Sequence, residues 1–163
     1  MWFRKPKPDR TAVTHDLRSQ LFSSMPGEFG IAPGPGHERV WVVLMETGYP
    51  TAVASLITVA DGTTSLYFSN GGGIIGAGQH PSVRSSAERF ISLVDAHVGQ
   101  LTIAEDHPLP GVGRVRFYAR TFTDLRTAEA AERDLGEGRH PLSPLFFAGH
   151  AVITAVREAS PPE

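Results

Sequence analysis

The chain has 163 residues, of which 40% are hydrophobic and 20% charged, with a net charge of −2 and no cysteine. That length suits one domain able to bury a core of its own. The near-neutral balance argues against a general nucleic-acid binder, whose affinity comes from net or clustered positive charge, and the lack of cysteine removes disulfides, iron–sulfur clusters and thiolate zinc sites.

In chain order, Met1-Trp2-Phe3-Arg4-Lys5-Pro6-Lys7-Pro8 has basic residues with no apolar run behind them. This predicts neither a signal peptide nor a membrane span and makes the cytoplasm the expected compartment. Residues 1–10 read as a solvated, flexible tail; the other use of Lys5 and Lys7 beside Trp2 and Phe3 is to rest on an anionic membrane or partner surface. Residues 11–158 read as a single domain and 159–163 as a C-terminal tail.

Thr11 or Thr14 as N-cap predicts a helix through Leu17, Leu21 and Phe22 that ends before Pro26-Gly27. From Pro26 to Gly36 seven of eleven residues are Pro or Gly, which predicts a long loop, pinned to the body by Phe29 and Ile31. Val40 to Met45 is apolar at every position, as expected of a central strand covered on both sides. After a turn at Gly48-Tyr49-Pro50, strands over Ala52–Val59 and Thr63–Phe68 meet across Asp61-Gly62 as a hairpin.

Between Pro81 and Val98 the apolar residues Val83, Ala87, Phe90, Ile91, Val94 and Val98 recur three and four apart, which predicts an amphipathic helix with Arg84, Ser85, Glu88, Arg89, Ser92 and Asp95 facing away. Leu101 to Ala104 is expected to be a short strand that pairs, through the Asp106–Gly113 loop, with a strand over residues 114–122. Asp124 or Thr127 opens a short helix of Ala, Glu and Arg that Gly136 stops. Ser143-Pro144 starts an apolar segment to Val156, either a helix or a last strand. The sum is an α+β domain in which an antiparallel sheet of four to five strands carries helices packed on it. At the level of element order this resembles type III secretion chaperones and, less closely, profilin and roadblock-type modules, with no shared motif.

The strand over residues 114–122 carries the leading candidate site. Its period of two sends Arg114, Arg116, Tyr118, Arg120 and Phe122 to one face, expected to face solvent, and Val115, Phe117, Ala119 and Thr121 to the core. Guanidiniums interleaved with an aromatic ring can grip a carboxylate or phosphate and stack on planar groups. The competing use is internal: Glu105 or Asp106 pairing with Arg114 or Arg116 across the hairpin, and charge that protects a sheet edge.

A second candidate is Gly71-Gly72-Gly73-Ile74-Ile75-Gly76-Ala77-Gly78. Gly71, Gly73 and Gly76 satisfy G-x-G-x-x-G, yet Pro81 delays the helix and no acid ends a second parallel strand, so a dinucleotide site is set aside. Loop amides at Gly72, Gly73 and Gly76, with Arg84 one turn into the helix, can still receive an anion. The alternative is a glycine link that lets the chain leave the sheet and pass close under the helix.

None of the seven histidines has chelating spacing, so no metal and no cofactor is expected. His80, His107 and His140 precede prolines, and His97 borders the helix stripe. His150, inside the apolar C-terminal segment, needs a partner if buried and titrates near neutrality. There is no G-x-S-x-G nucleophile elbow, and Glu46, Glu105 and Asp106 have no acid–base spacing. The reading that results is a noncatalytic binding or adaptor module that engages a protein partner through a sheet face or the long loop. The alternative is an enzyme or binder of a small anionic ligand, with the arginine strand and the glycine loop as its site; a deep pocket holding the arginines beside His80 or His107 favours it, a flat surface the adaptor. The apolar surface of residues 144–156 is wider than one stripe, which predicts a homodimer with this segment at its interface.

Overall fold

The structure, a computed structural model, describes residues 10–74 and 77–160, with side chains from residue 17 onward apart from Ile74. The readings of residues 1–9 and of Gly76 lie outside these. Helix α1 (Arg10–Ser23) is followed by strands β1 (Val40–Gly48), β2 (Val53–Val59), β3 (Thr64–Phe68) and β4 (Gly73–Ile74), then by helix α2 (Pro81–His97). Strands β5 (Thr102–Ile103), β6 (Arg114–Thr121) and β7 (Leu125–Ala131) precede the short α3 (Glu132–Gly136) and the long α4 (Ser143–Ala159). All strands join one antiparallel sheet in the order β4-β3-β2-β1-β6-β7-β5. The α+β class is the expected one, and the sheet is larger than expected because the two-residue β4 joins one edge and Leu125–Ala131 joins as β7.

β1 lies at the centre and is buried along its whole length. Odd residues from Val43 to Thr47 face a core built with Phe90 and Val94 of α2 and Leu145, Val152 and Val156 of α4. Trp41, Val42 and Leu44 face a second, smaller core with Leu17, Leu21 and Phe22 of α1 and Ile31 of the long loop. A register shift between Val40 and Val42 lets both Trp41 and Val42 turn to that second side. The sheet is therefore covered on both faces.

The stripe of α2 is buried as its spacing dictates. Asp95 does not simply face away: its Oδ1 accepts the backbone N–H groups of Arg39 and Val40, each at 2.8 Å, and ties α2 to the start of β1. In the long loop, Pro26–Phe29 winds into one 3-10 turn. Phe29 stays half exposed with its ring 6.0 Å from that of Trp41. The 144–156 segment is helical, and Gly149 lets the α4 backbone approach Met45 so closely that a Cβ there would lie 2.6 Å from its Sδ.

Three local expectations are corrected. Thr11 and Thr14 lie inside α1, which begins at Arg10, and do not cap it. The residues from Leu125 to Ala131 form a strand, not a helix, because pairing with β6 along seven positions overrides the helix preference of Ala, Glu and Arg. The turn before it is locked by Thr121, whose Oγ1 accepts the N–H of Thr123 and Asp124 and donates to Asp124 Oδ1 at 2.6 Å. As a result β5 pairs with β7 and not with the arginine strand.

Candidate functional site

The arginine strand is β6, and Arg114, Arg116, Tyr118 and Arg120 share one face of it, the face of the smaller core. Register across the sheet sets Tyr67, Ser55, Glu46, Arg116 and Glu129 in one row over five strands. The row is not a flat surface open to solvent. Arg116 Nη2 donates to Glu129 Oε2 at 2.6 Å, and Arg114 Nε to Glu129 Oε1 at 3.2 Å. The carboxylate partner is thus Glu129 on β7, in place of the expected Glu105 or Asp106, because β7 and not the Asp106 loop is the hairpin strand. Arg120 stacks over Trp41, 4.9 Å from its ring, and donates to the carbonyls of Leu21 and Ser24 at the end of α1.

At the middle of the row lies a pair that the composition of β1 concealed. Glu46 is 0% exposed, and its carboxylate accepts from Arg18 Nε and Nη2 at 3.0–3.2 Å and from Ser55 Oγ at 2.7 Å. Arg18 arrives from α1 and also donates to the His107 carbonyl at 2.7 Å. Phe22 stacks on His107 at 4.0 Å, and Tyr118 donates its hydroxyl to the Pro108 carbonyl at 2.6 Å. These contacts strap the 104–113 loop over β6. Burial pushes the Tyr118 hydroxyl up to about 12 against the pull of Arg116 and Arg18, and burial together with Glu46 raises Tyr67 further. Burial, with Arg18 next, lowers His107. An acid alone in an apolar strand requires a buried cation, which was the signal in the sequence for this pair.

The glycine loop has a structural use. Gly71, Gly72 and Gly73 take positive φ, and a Cβ on Gly78 would overlap the carbonyl oxygen of Gly62 and lie 2.9 Å from its carbon. The chain passes hard against the β2–β3 hairpin there, and Arg84 lies over Gly62. His97 Nδ1 meets the Leu93 carbonyl at 2.8 Å. His150 Nε2 is buried and makes no hydrogen bond among the described residues. Among the described residues no group of three or more His, Asp or Glu side chains is placed to hold a metal ion, and no helix is long and apolar enough to cross a membrane.

Beside Phe29 and Phe147, exposed apolar side chains gather along β5 and the loop that follows it. β5 pairs only Arg126 and Thr127, so residues 128–131 of β7, which pair with β6 on one side, have no strand on the other side among the described residues. Ile103, Leu109 and Val112, in one ten-residue stretch, are 64%, 52% and 67% exposed. No protein-family model, no curated protein and no solved structure matches this chain, so its likeness in element order to secretion chaperones carries no argument.

Proposed function

We propose that the chain is a noncatalytic binding module that takes an extended segment of a protein partner along the open half of β7. The observation that carries this reading is the edge: Ala128, Ala130 and Ala131 present it with small side chains, Glu129 is engaged by Arg114 and Arg116, and there is no Lys or Pro to block it, while exposed Ile103 stands at its end. A partner strand gains main-chain hydrogen bonds there and a hydrophobic contact beyond them. Because both sheet faces are covered, the edge replaces the sheet face as the contact surface.

The backbone of Leu125 points outward, since its carbonyl accepts the Ala104 N–H of the β5 segment. By the alternation of the ladder, residue 131 points outward too. Ala131 has φ −67, the angle of proline, so Ala131→Pro keeps the fold and deletes an outward donor. Partners captured from a lysate of the native host are expected to be lost together with Ala131→Pro and with Ile103→Asp, and kept with Phe147→Asp. Equal capture by all three variants refutes the reading.

A second association is favoured by Phe147, which is 49% exposed one turn before Ala151. Ala151 lines an apolar groove between α2 and α4 with Leu93, Ala96 and Ala148. We propose this face for a second copy of the chain. Sedimentation equilibrium at micromolar concentration is expected to give twice the 17.6 kDa chain mass, reverting to the chain mass with Phe147→Asp; a wild-type monomer excludes it.

A further inference from the structure

Between α4 and the face of β1–β3 that it covers lies a cavity of about 180 Å³. Its floor is apolar: Met45, Leu56 and Leu66, one from each strand, are all buried. Thr47 is buried beside them, and the exposed polar groups mark the mouth, where Tyr49 follows β1 and Thr154 and Arg157 project from the last turns of α4. His150 lines the same space, with its ring against Phe146 at 4.3 Å and its Nε2 buried and without a hydrogen-bond partner among the described residues. Arg157 is the one charged side chain among the lining residues. Glu132 acts electrostatically on Tyr49 and His150 but does not line the cavity.

Size, floor and mouth each restrict the occupant. A closed apolar cavity of about 150 Å³ takes up benzene, so this one has room for a single ring or an equivalent branched chain plus a small head group. An apolar floor rejects a second charge, which would be buried without a counter-ion. One guanidinium at the mouth matches one carboxylate in fork geometry.

We propose that this cavity binds a small amphipathic monocarboxylic acid, with its body on Met45, Leu56 and Leu66 and its carboxylate held by Arg157 and the Tyr49 hydroxyl. Burial lowers the pKa of His150 against the opposing pull of Glu132, with Arg157 adding a smaller effect in the direction of burial. Arg157 alone supplies the charge. The site is independent of the β7 edge, which lies at the other end of the strand order.

The test is an amide NMR titration of the full chain with three probes: phenylacetate, phenylacetamide and acetate. Phenylacetate is expected to give saturable shifts in the 45–49, 54–56, 66–68 and 150–157 segments. Phenylacetamide lacks the charge and acetate lacks the body, and each is expected to bind about tenfold more weakly. Arg157→Gln, at an exposed position, is expected to weaken phenylacetate by about tenfold and leave phenylacetamide unchanged. Absence of saturable shifts in these segments up to about 10 mM, or phenylacetate binding that Arg157→Gln leaves intact, overturns the proposal.

Discussion

Replacing Arg18 by methionine is expected to cost about 3–5 kcal/mol of stability, because the Glu46 carboxylate stays fully buried with only the Ser55 hydroxyl as donor. For a domain of this size the midpoint of thermal unfolding falls by roughly 10 °C. The cost belongs to the unpaired charge and not to the lost contacts of one side chain. The double variant Arg18→Met with Glu46→Leu is therefore expected to recover most of the loss, since well-packed apolar residues replace a buried ion pair at little or no cost. Thermal or urea unfolding of the two single variants and the double variant reads this directly. A double variant that is no more stable than Arg18→Met alone shows that α1 is held by something other than this pair.

The second large effect is expected from Gly78→Ala. The added Cβ runs into the Gly62 carbonyl, which is backbone and has no rotamer by which to escape. The 77–79 turn must lift off the hairpin, at a cost of about 2–4 kcal/mol. Gly99→Ala is the matching control: a Cβ there meets no atom within 4 Å, and the change is expected to stay within about 0.5 kcal/mol. Equal urea midpoints for the two variants would return the glycine run to the role of an anion loop with freedom to move.

These two sites also mark where the sequence was legible. An unbroken apolar run located β1, Asp61-Gly62 located the β2–β3 hairpin, and periodicity located α2, since a buried stripe at Val83, Phe90 and Val94 admits one reading. It failed at Leu125–Ala131, where Ala, Glu and Arg favour a helix in isolation and the deciding partner, β6, is a tertiary neighbour. The side of β6 that carries the arginines was legible from alternation, but their surroundings were not. Nothing local in the sequence says that α1 and the 104–113 loop lie over Arg116 and Tyr118, or that the carbonyls of Leu21 and Ser24 engage Arg120. Glu46 was visible as an acid, and its cation stood 28 residues away on another element.

The strand order also bears on how the chain reaches this state. β1, β2 and β3 form a meander of neighbours in sequence, and β6 and β7 form a tight hairpin, so each of these two units closes through short loops. The seam between them, β1 against β6, joins residues as distant as Val40 and Thr121 with all of α2 in between. Loop-closure entropy is charged at that seam before the two cores can form, and non-local pairing of this kind sets a slow pace for folding. The central pair of the sheet is thus the last to be found, and until it closes both units expose the edges that meet there.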